Sequence, residues 1–230
     1  MKRYALATLA IAATISLAVP DISRAQAAEK AAPAWRNLLE PSLGAWRGYK
    51  EQGLPKQWTV KDGVLSKSTS ANDLITKDEF QNFELVWDWK LQPGGNAGVF
   101  YHGNEEAEKI YFTGPEYQLL DDARHPDGKS RLTAAGSDYA LYPVAAGIVK
   151  AANHWNSSRI IVRGKHVEHW LNGKKVVTYE LGSADWEKRL KASKFGTAAH
   201  YGRLERGHIG IQGDHDGTLW IRNMKIRVLP

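Results

Sequence analysis

Alternation of apolar and polar positions organises this chain. Phe83 to Leu91, FELVWDWKL, sets Phe83, Leu85, Trp87, Trp89 and Leu91 on one face and Glu84, Val86, Asp88 and Lys90 on the other. Side chains alternate across a strand, whereas helical spacing would scatter those aromatics round a cylinder, so the period predicts a strand. Pro93 to Asn96 turns the chain and Ala97 to His102, AGVFYH, returns it, with Gly98 marking a close approach of backbone or ligand. Asp62-Gly63 within Trp58 to Leu65 is a hairpin signal, as is Asn172-Gly173 between HVEHWL at His166 to Leu171 and Lys174 to Tyr179. Leu74 to Thr76, Ile110 to Thr113, Arg159 to Arg163, His208 to Gln212 and Thr218 to Leu229 read as further strands, and Asp185 to Lys191 as one short helix. Pro41 to Gly53 reads as loops, with Trp46 packed over one end of the core. Asp121 to Ala146 reads as a long, polar, ordered loop. Many short strands with little helix predict an all-β fold, an antiparallel β-sandwich or jelly roll.

The N-terminus departs from this pattern. Met1-Lys2-Arg3 is basic, Tyr4 to Val19 is apolar, and Ala25-Gln26-Ala27 is a small-x-small cleavage site, so residues 1–27 read as a secretory signal peptide. Residues 28–34 read as a linker and 35–230 as one domain. The expectation is an exported protein, periplasmic or extracellular, with no membrane attachment after signal removal. The formal net charge is +6 at pH 7, but the excess is diffuse and no basic stripe interleaves with aromatics, which argues against a nucleic-acid partner. Cysteine is absent, which excludes thiol chemistry and Cys-ligated zinc. Nine Trp and nine Tyr can fill a large β core, with a few left to line a groove on which sugar rings stack.

Candidate chemistry centres on Gly114 to Asp122, GPEYQLLDD. Glu116, Gln118 and Leu120 share one strand face, so a carboxylate and an amide point the same way from a rigid platform. The alternative is an ordinary solvated strand face. His125 beside Asp122 and Asp127, and His215 between Asp214 and Asp216, are acid/base candidates tuned by carboxylates. Each also reads as a solvated loop residue. His166 and His169 fall on opposite strand faces and make poor joint metal ligands. His169, level with Val167 and Leu171, reads as a buried, hydrogen-bonded histidine. In a curved sandwich the polar faces carrying Glu84, Asp88 and Glu116 are expected to meet in one groove, a setting for glycoside chemistry. Asp121, Asp122 and Asp127 are candidate calcium ligands, but they match no calcium-loop spacing, so no metal and no cofactor is expected.

Six pieces of the chain together resemble the 3-keto-disaccharide hydrolase domain family, whose fold is that of the concanavalin A-like lectins and glucanases. They are NAGVFYH at Asn96 to His102, GPEYQLLDD with His125-Pro126-Asp127, Tyr139 to Tyr142, HWNSSRIIVRGKHVEHWLNGKKV at His154 to Val176, Ser193-Lys194-Phe195, and GHIGIQGDHDGTLWIRNMKI at Gly207 to Ile226. Two positions depart from the family pattern: Ala97 stands where Ser is usual, and His102 where Arg is common. The resemblance implies a sugar site that includes Asp88, Asn96, His102, Glu116, Gln118, Asp122, His125, Tyr142, Trp155, Arg159, Gln212 and His215. It also implies glycosides oxidised at C3 as substrates. A 3-keto group acidifies the C2 proton, so a base and an acid can eliminate the C1 substituent before water adds back. Glu116 is expected as base or acid, His125 or His215 as its counterpart, and Gln118, Asn96 or Arg159 as donors to the enolate. Two other readings stay open: a carbohydrate-binding module without turnover, and a conventional glucanase-type hydrolase, whose E-x-D-x-E strand pattern this chain lacks.

Overall fold

The computed structural model describes residues 33–145 and 147–230. The proposed signal peptide and residues 28–32 of the linker lie outside the described residues. Pro33–Pro230 forms a compact unit of thirteen strands and one α-helix. The strands are β1 Arg36–Asn37, β2 Trp46–Gly48, β3 Thr59–Lys61, β4 Val64–Lys67, β5 Leu74–Phe80, β6 Phe83–Leu91, β7 Asn96–Gly103, β8 Glu116–Leu120, β9 Asn156–Arg163, β10 His166–Leu171, β11 Lys174–Glu180, β12 Gly207–Ile211 and β13 Leu219–Val228. The helix, α1, spans Ala184–Ala192. An eight-stranded sheet runs β11-β10-β9-β6-β13-β4-β3 with β1 beside β13, and a five-stranded sheet runs β2-β5-β12-β7-β8.

The two sheets turn their apolar faces to each other. Phe83, Leu85, Trp87, Trp89, Ile160 and Ile221 come from the larger sheet, and Ala97, Val99, Tyr117, Leu119, Ile209 and Ile211 from the smaller, all buried. Burial of each large apolar side chain of this kind is worth about 1.5–3 kcal/mol. β6 keeps the predicted alternation from end to end. Both predicted hairpins form, with Asp62 and Gly63, and Asn172 and Gly173, at positive φ, the left-handed pair a two-residue turn requires. Ser183 caps α1 by accepting from Trp186 N at 3.2 Å, while Trp186 and Leu190 dock inward.

Three features differ from the sequence reading. β2 arises inside the stretch expected to be loops, because Trp46 is drawn into the core and donates its indole N–H to Leu38 O at 2.7 Å. Ile110–Phe112 is a 3-10 turn that plugs Ile110 onto the outer face of the five-stranded sheet against Tyr49, Ile75 and Phe100. Most consequential, Glu84 and Asp88 do not share a groove with Glu116. β6 and β8 belong to different sheets, and because each sheet buries its apolar face against the other, their polar faces point to opposite sides of the sandwich.

His169 is buried as expected. It hydrogen-bonds Gly136 O through Nδ1 at 3.1 Å and the Tyr101 hydroxyl through Nε2 at 3.0 Å. Desolvation lowers its pKa to about 4, so it stays neutral as a structural link between the sheets.

Candidate active site

The outer face of the five-stranded sheet carries a polar hollow of about 200 Å³. β8 supplies Glu116 and Gln118, and β7 supplies Asn96 from the adjacent strand. Gln212 and then Asp214 and His215 follow the end of β12. Tyr111, Asp127, Tyr139 and Lys194 close the walls. The alternation of β8 explains the layout: Tyr117 and Leu119 enter the core, so Glu116 and Gln118 face out.

Glu116 is almost fully buried. Loss of water raises its carboxyl to a pKa of about 8, with Asp214, Asp73 and Asp138 adding to the rise and Lys194 opposing it. The His215 imidazole moves the other way. Burial lowers its pKa, helped by His125 and Lys67 and resisted by Asp214 and Asp127. The neighbouring carboxylate and imidazole are therefore pushed apart in opposite directions. At neutral pH the proton rests on Glu116 and is off His215.

Around this pair lie oxygen atoms with no partner among the described residues: Asn96 Oδ1, Gln118 Oε1, Gln212 Oε1 and Asp214 Oδ1, all buried. Gln118 spends its amide N–H on Thr133 O at 3.3 Å, which fixes the amide's orientation. Buried acceptors without donors are costly unless a ligand supplies them. A ring bearing several hydroxyls is the simplest ligand that does so. Lys194 Nζ lies 4.2 Å from the centroid of the Tyr139 ring, and the Tyr139 hydroxyl donates to Asp127 Oδ2 at 3.1 Å.

The loop bearing His215 is held rigidly. Lys67, nearly excluded from solvent, donates to the carbonyls of Thr69, His215 and Gly217. Ser70 N donates to Asp216 Oδ1 at 3.0 Å and its hydroxyl to Asp214 O at 2.9 Å. Gly213 N donates to Asp73 Oδ1 at 2.8 Å. His125 caps the 3-10 turn Pro126–Lys129 by accepting from Asp127 N through Nδ1 at 3.2 Å. Since a backbone amide can only donate, neutral His125 carries its proton on Nε2.

The structure thus gathers Asn96, Glu116, Gln118, Gln212 and His215 in one hollow, with His125 near enough to influence His215. It does not gather the remaining residues of the implied site. Asp88 and Arg159 lie on the outer face of the eight-stranded sheet, and Trp155 packs against Lys90 and Arg222. His102 adopts φ 51° at a bulge where the single residue Ile209 of β12 faces two residues of β7, Tyr101 and His102. Its ring is buried beside Phe83, with Nε2 bonded to Gln81 O at 2.8 Å. Asp122 accepts from Ala135 N at 2.8 Å and ties the long loop to itself. Tyr142 donates to Asp185 at 2.9 Å and stacks on Tyr179.

Tyr111, Lys194, Asp73, Ser70 and Lys67 were not singled out by the sequence reading. Lys194 sits in the Ser193-Lys194-Phe195 piece, which was the one available signal. Of the aromatics, Tyr111 and Tyr139 wall this hollow, while Trp155 lies elsewhere.

The fold and this hollow together define a β-sandwich with a carboxyl, imidazole and amide site suited to a hydroxylated ring. A protein with a galectin-like fold from Bacillus subtilis shares the architecture at a TM-score of 0.54 and 12% identity, over 84% of this chain and 94% of that one. The chain belongs to the 3-keto-alpha-glucoside-1,2-lyase-like domain family, whose model matches residues 34–227. It is similar to the 3-keto-disaccharide hydrolase of Bacteroides thetaiotaomicron, 34% identical over 82% of this chain and 76% of the relative. A solved structure from Parabacteroides distasonis, provisionally named a glycosyl hydrolase, is 32% identical with a TM-score of 0.79, covering 85% of this chain and 94% of that one.

Proposed function

We propose that this protein cleaves the glycosidic bond of glycosides already oxidised to a ketone at C3, by elimination and rehydration. The observation that carries the reading is a pair with opposed proton affinities, the buried Glu116 raised to about 8 and the half-buried His215 lowered. Two groups pushed apart in this way supply an acid and a base at the same pH. Family membership and the named Bacteroides relative support the substrate class.

The neutral imidazole of His215 takes the C2 proton, which the adjacent ketone has acidified. The electron pair forms the C1–C2 double bond and expels the C1 oxygen, which receives the proton of Glu116. Charge developing on the ketone oxygen is met by the Lys194 ammonium and by the side-chain amide N–H groups of Asn96 or Gln212. The Glu116 carboxylate then takes a proton from water as its oxygen adds to C1, and His215 returns a proton to C2. Both groups end as they began, and the net reaction is hydrolysis. If residues 1–27 act as a signal peptide, this chemistry takes place outside the inner membrane.

The test is to incubate the enzyme with a disaccharide and with its 3-keto derivative in deuterium oxide, following the released sugar by mass spectrometry and NMR. Cleavage of the keto form alone, with deuterium at C2 above that of an enzyme-free control, is expected. Equal cleavage of the parent sugar, or product without deuterium at C2, overturns the mechanism. The binding-module reading predicts affinity for the keto sugar with no cleavage at all.

A further inference from the structure

The outer face of the eight-stranded sheet carries a second hollow, of about 280 Å³, on the opposite side of the sandwich from Glu116. Two bulges shape it. β13 sets Asn223 and Met224 against the single residue Trp87 of β6, since Arg222 pairs with Asp88 and Lys225 with Val86. β11 places an extra residue, Val176, between the partners of His169 and Trp170. A bulge bends its strand and re-aims the neighbouring side chains. Asp88, Ser157, Arg159, Trp170 and Asn223 converge there as a result. The floor is the β6 backbone around Trp87, whose side chain turns the other way into the core against Tyr117.

The side chains of this hollow are held in place before any ligand arrives. Asp88 Oδ2 accepts from Asn223 Nδ2 at 2.8 Å and Arg222 Nε at 3.3 Å. Arg159 pairs with Glu84 at 3.2 Å, and the Trp170 indole donates to Glu168 Oε2 at 2.7 Å. Asn223 adopts φ 55°, a left-handed conformation that most L residues avoid. The chain accepts that conformation where the bulge turns an amide into the hollow.

We infer that this hollow is a second carbohydrate site, which takes a neutral sugar ring of a glucan-type chain on Trp170 with Asp88, Arg159, Ser157 and Asn223 as hydrogen-bonding partners. An aromatic ring beside fixed donors and acceptors matches the apolar face and the equatorial hydroxyls of a pyranose. The guanidinium groups of Arg159 and Arg222 already hold carboxylates, Glu84 (shared with Arg227) and Asp88, so a polyanion would have to compete with those pairs, whereas a neutral ring leaves them intact. The site would hold the enzyme to a polysaccharide while the hollow at Glu116 works on a separate ring.

The experiment is native affinity electrophoresis of the full chain carrying Glu116→Gln, in gels containing dextran, a soluble β-glucan or a galactomannan, with polygalacturonate as the acidic comparison. Retardation by at least one neutral polymer is expected. Trp170→Ala and Asn223→Gly should weaken it by ~10-fold or more, as loss of an aromatic platform does, while Gln212→Ala should leave it unchanged. Glycine suits the left-handed backbone at position 223, so the Asn223→Gly chain keeps its fold, and a thermal melt confirms this. No retardation by any neutral polymer, retardation by polygalacturonate alone, or loss on Gln212→Ala instead of Trp170→Ala each overturns the proposal. So does self-association that Trp170→Ala abolishes, which would make this face an interface between copies. These readouts measure binding and are independent of turnover at Glu116.

Discussion

The side chain of Glu116 lies across the backbone of Gly98. A Cβ at position 98 would overlap Glu116 Oε1 and stand 2.8 Å from its Cδ. The strand pairing makes this contact unavoidable, since Gly98 faces Gln118 and Phe100 faces Glu116 across β7 and β8. Gly98→Ala should therefore displace the carboxyl while leaving the apolar face of β7 untouched. We expect kcat to fall ~100-fold, the range for misplacing a catalytic group, with a melting temperature close to that of the parent. Steady-state kinetics with a 3-keto glycoside, beside a thermal melt, checks both.

Glu116→Gln should stop turnover and stabilise the protein at alkaline pH. The folded pKa of about 8 lies above that of an unfolded glutamate, so the folded chain binds this proton more tightly. That contribution is full below about pH 4.5 and is lost as pH rises through about 8. A neutral amide has no such loss. Melting temperatures at pH 6 and pH 9 should show the variant gaining on the parent as pH rises.

The rate of cleavage should trace a bell against pH. Its acid limb follows protonation of His215, below the ordinary histidine value because of burial. Its alkaline limb follows ionisation of Glu116 near 8. His215→Asn should abolish the acid limb together with most of the activity, and a kcat/KM profile between pH 5 and 10 is the measurement.

Lys67→Met should loosen the loop that carries Asp214 and His215. It leaves the carbonyls of Thr69, His215 and Gly217 without their shared donor. Lys67 belongs to β4 of the opposite sheet, so its loss should raise hydrogen exchange locally, at residues 213–217, and reduce kcat by ~10-fold or more.

Asn172→Ala isolates stability from chemistry. Asn172 sits at φ 49°, donates to Ile148 O and Asn156 Oδ1 at 2.8 Å each, and accepts from Ser157 N at 3.0 Å. We expect a loss of about 2–3 kcal/mol in denaturant unfolding, with kcat/KM unchanged.

Much of this architecture could be read from the chain because period-two patterns and turn dipeptides are local signals. β6, the Asn172-Gly173 hairpin and the outward face of Glu116 and Gln118 all follow from residues next to one another. What could not be read was which sheet each strand joins. Asp88, Trp155 and Arg159 have the residue types of a sugar site, yet β6 and β9 pair with each other in the sheet that excludes Glu116. Lys67 and Asp73 were invisible for the same reason, since they reach the site from more than a hundred residues away and carry no motif. His102 was misleading because one bulge reverses the direction in which its side chain points.

With Tyr49, Ile75 and Phe100 the Ile110 plug seals the middle of the smaller sheet, and Gly210 lets it sit flush, since a Cβ there would be 2.6 Å from Ile110 Cδ1. The turn that caps the sheet with Ile110 also walls the hollow with Tyr111, so a change that loosens the plug moves a wall of the site with it.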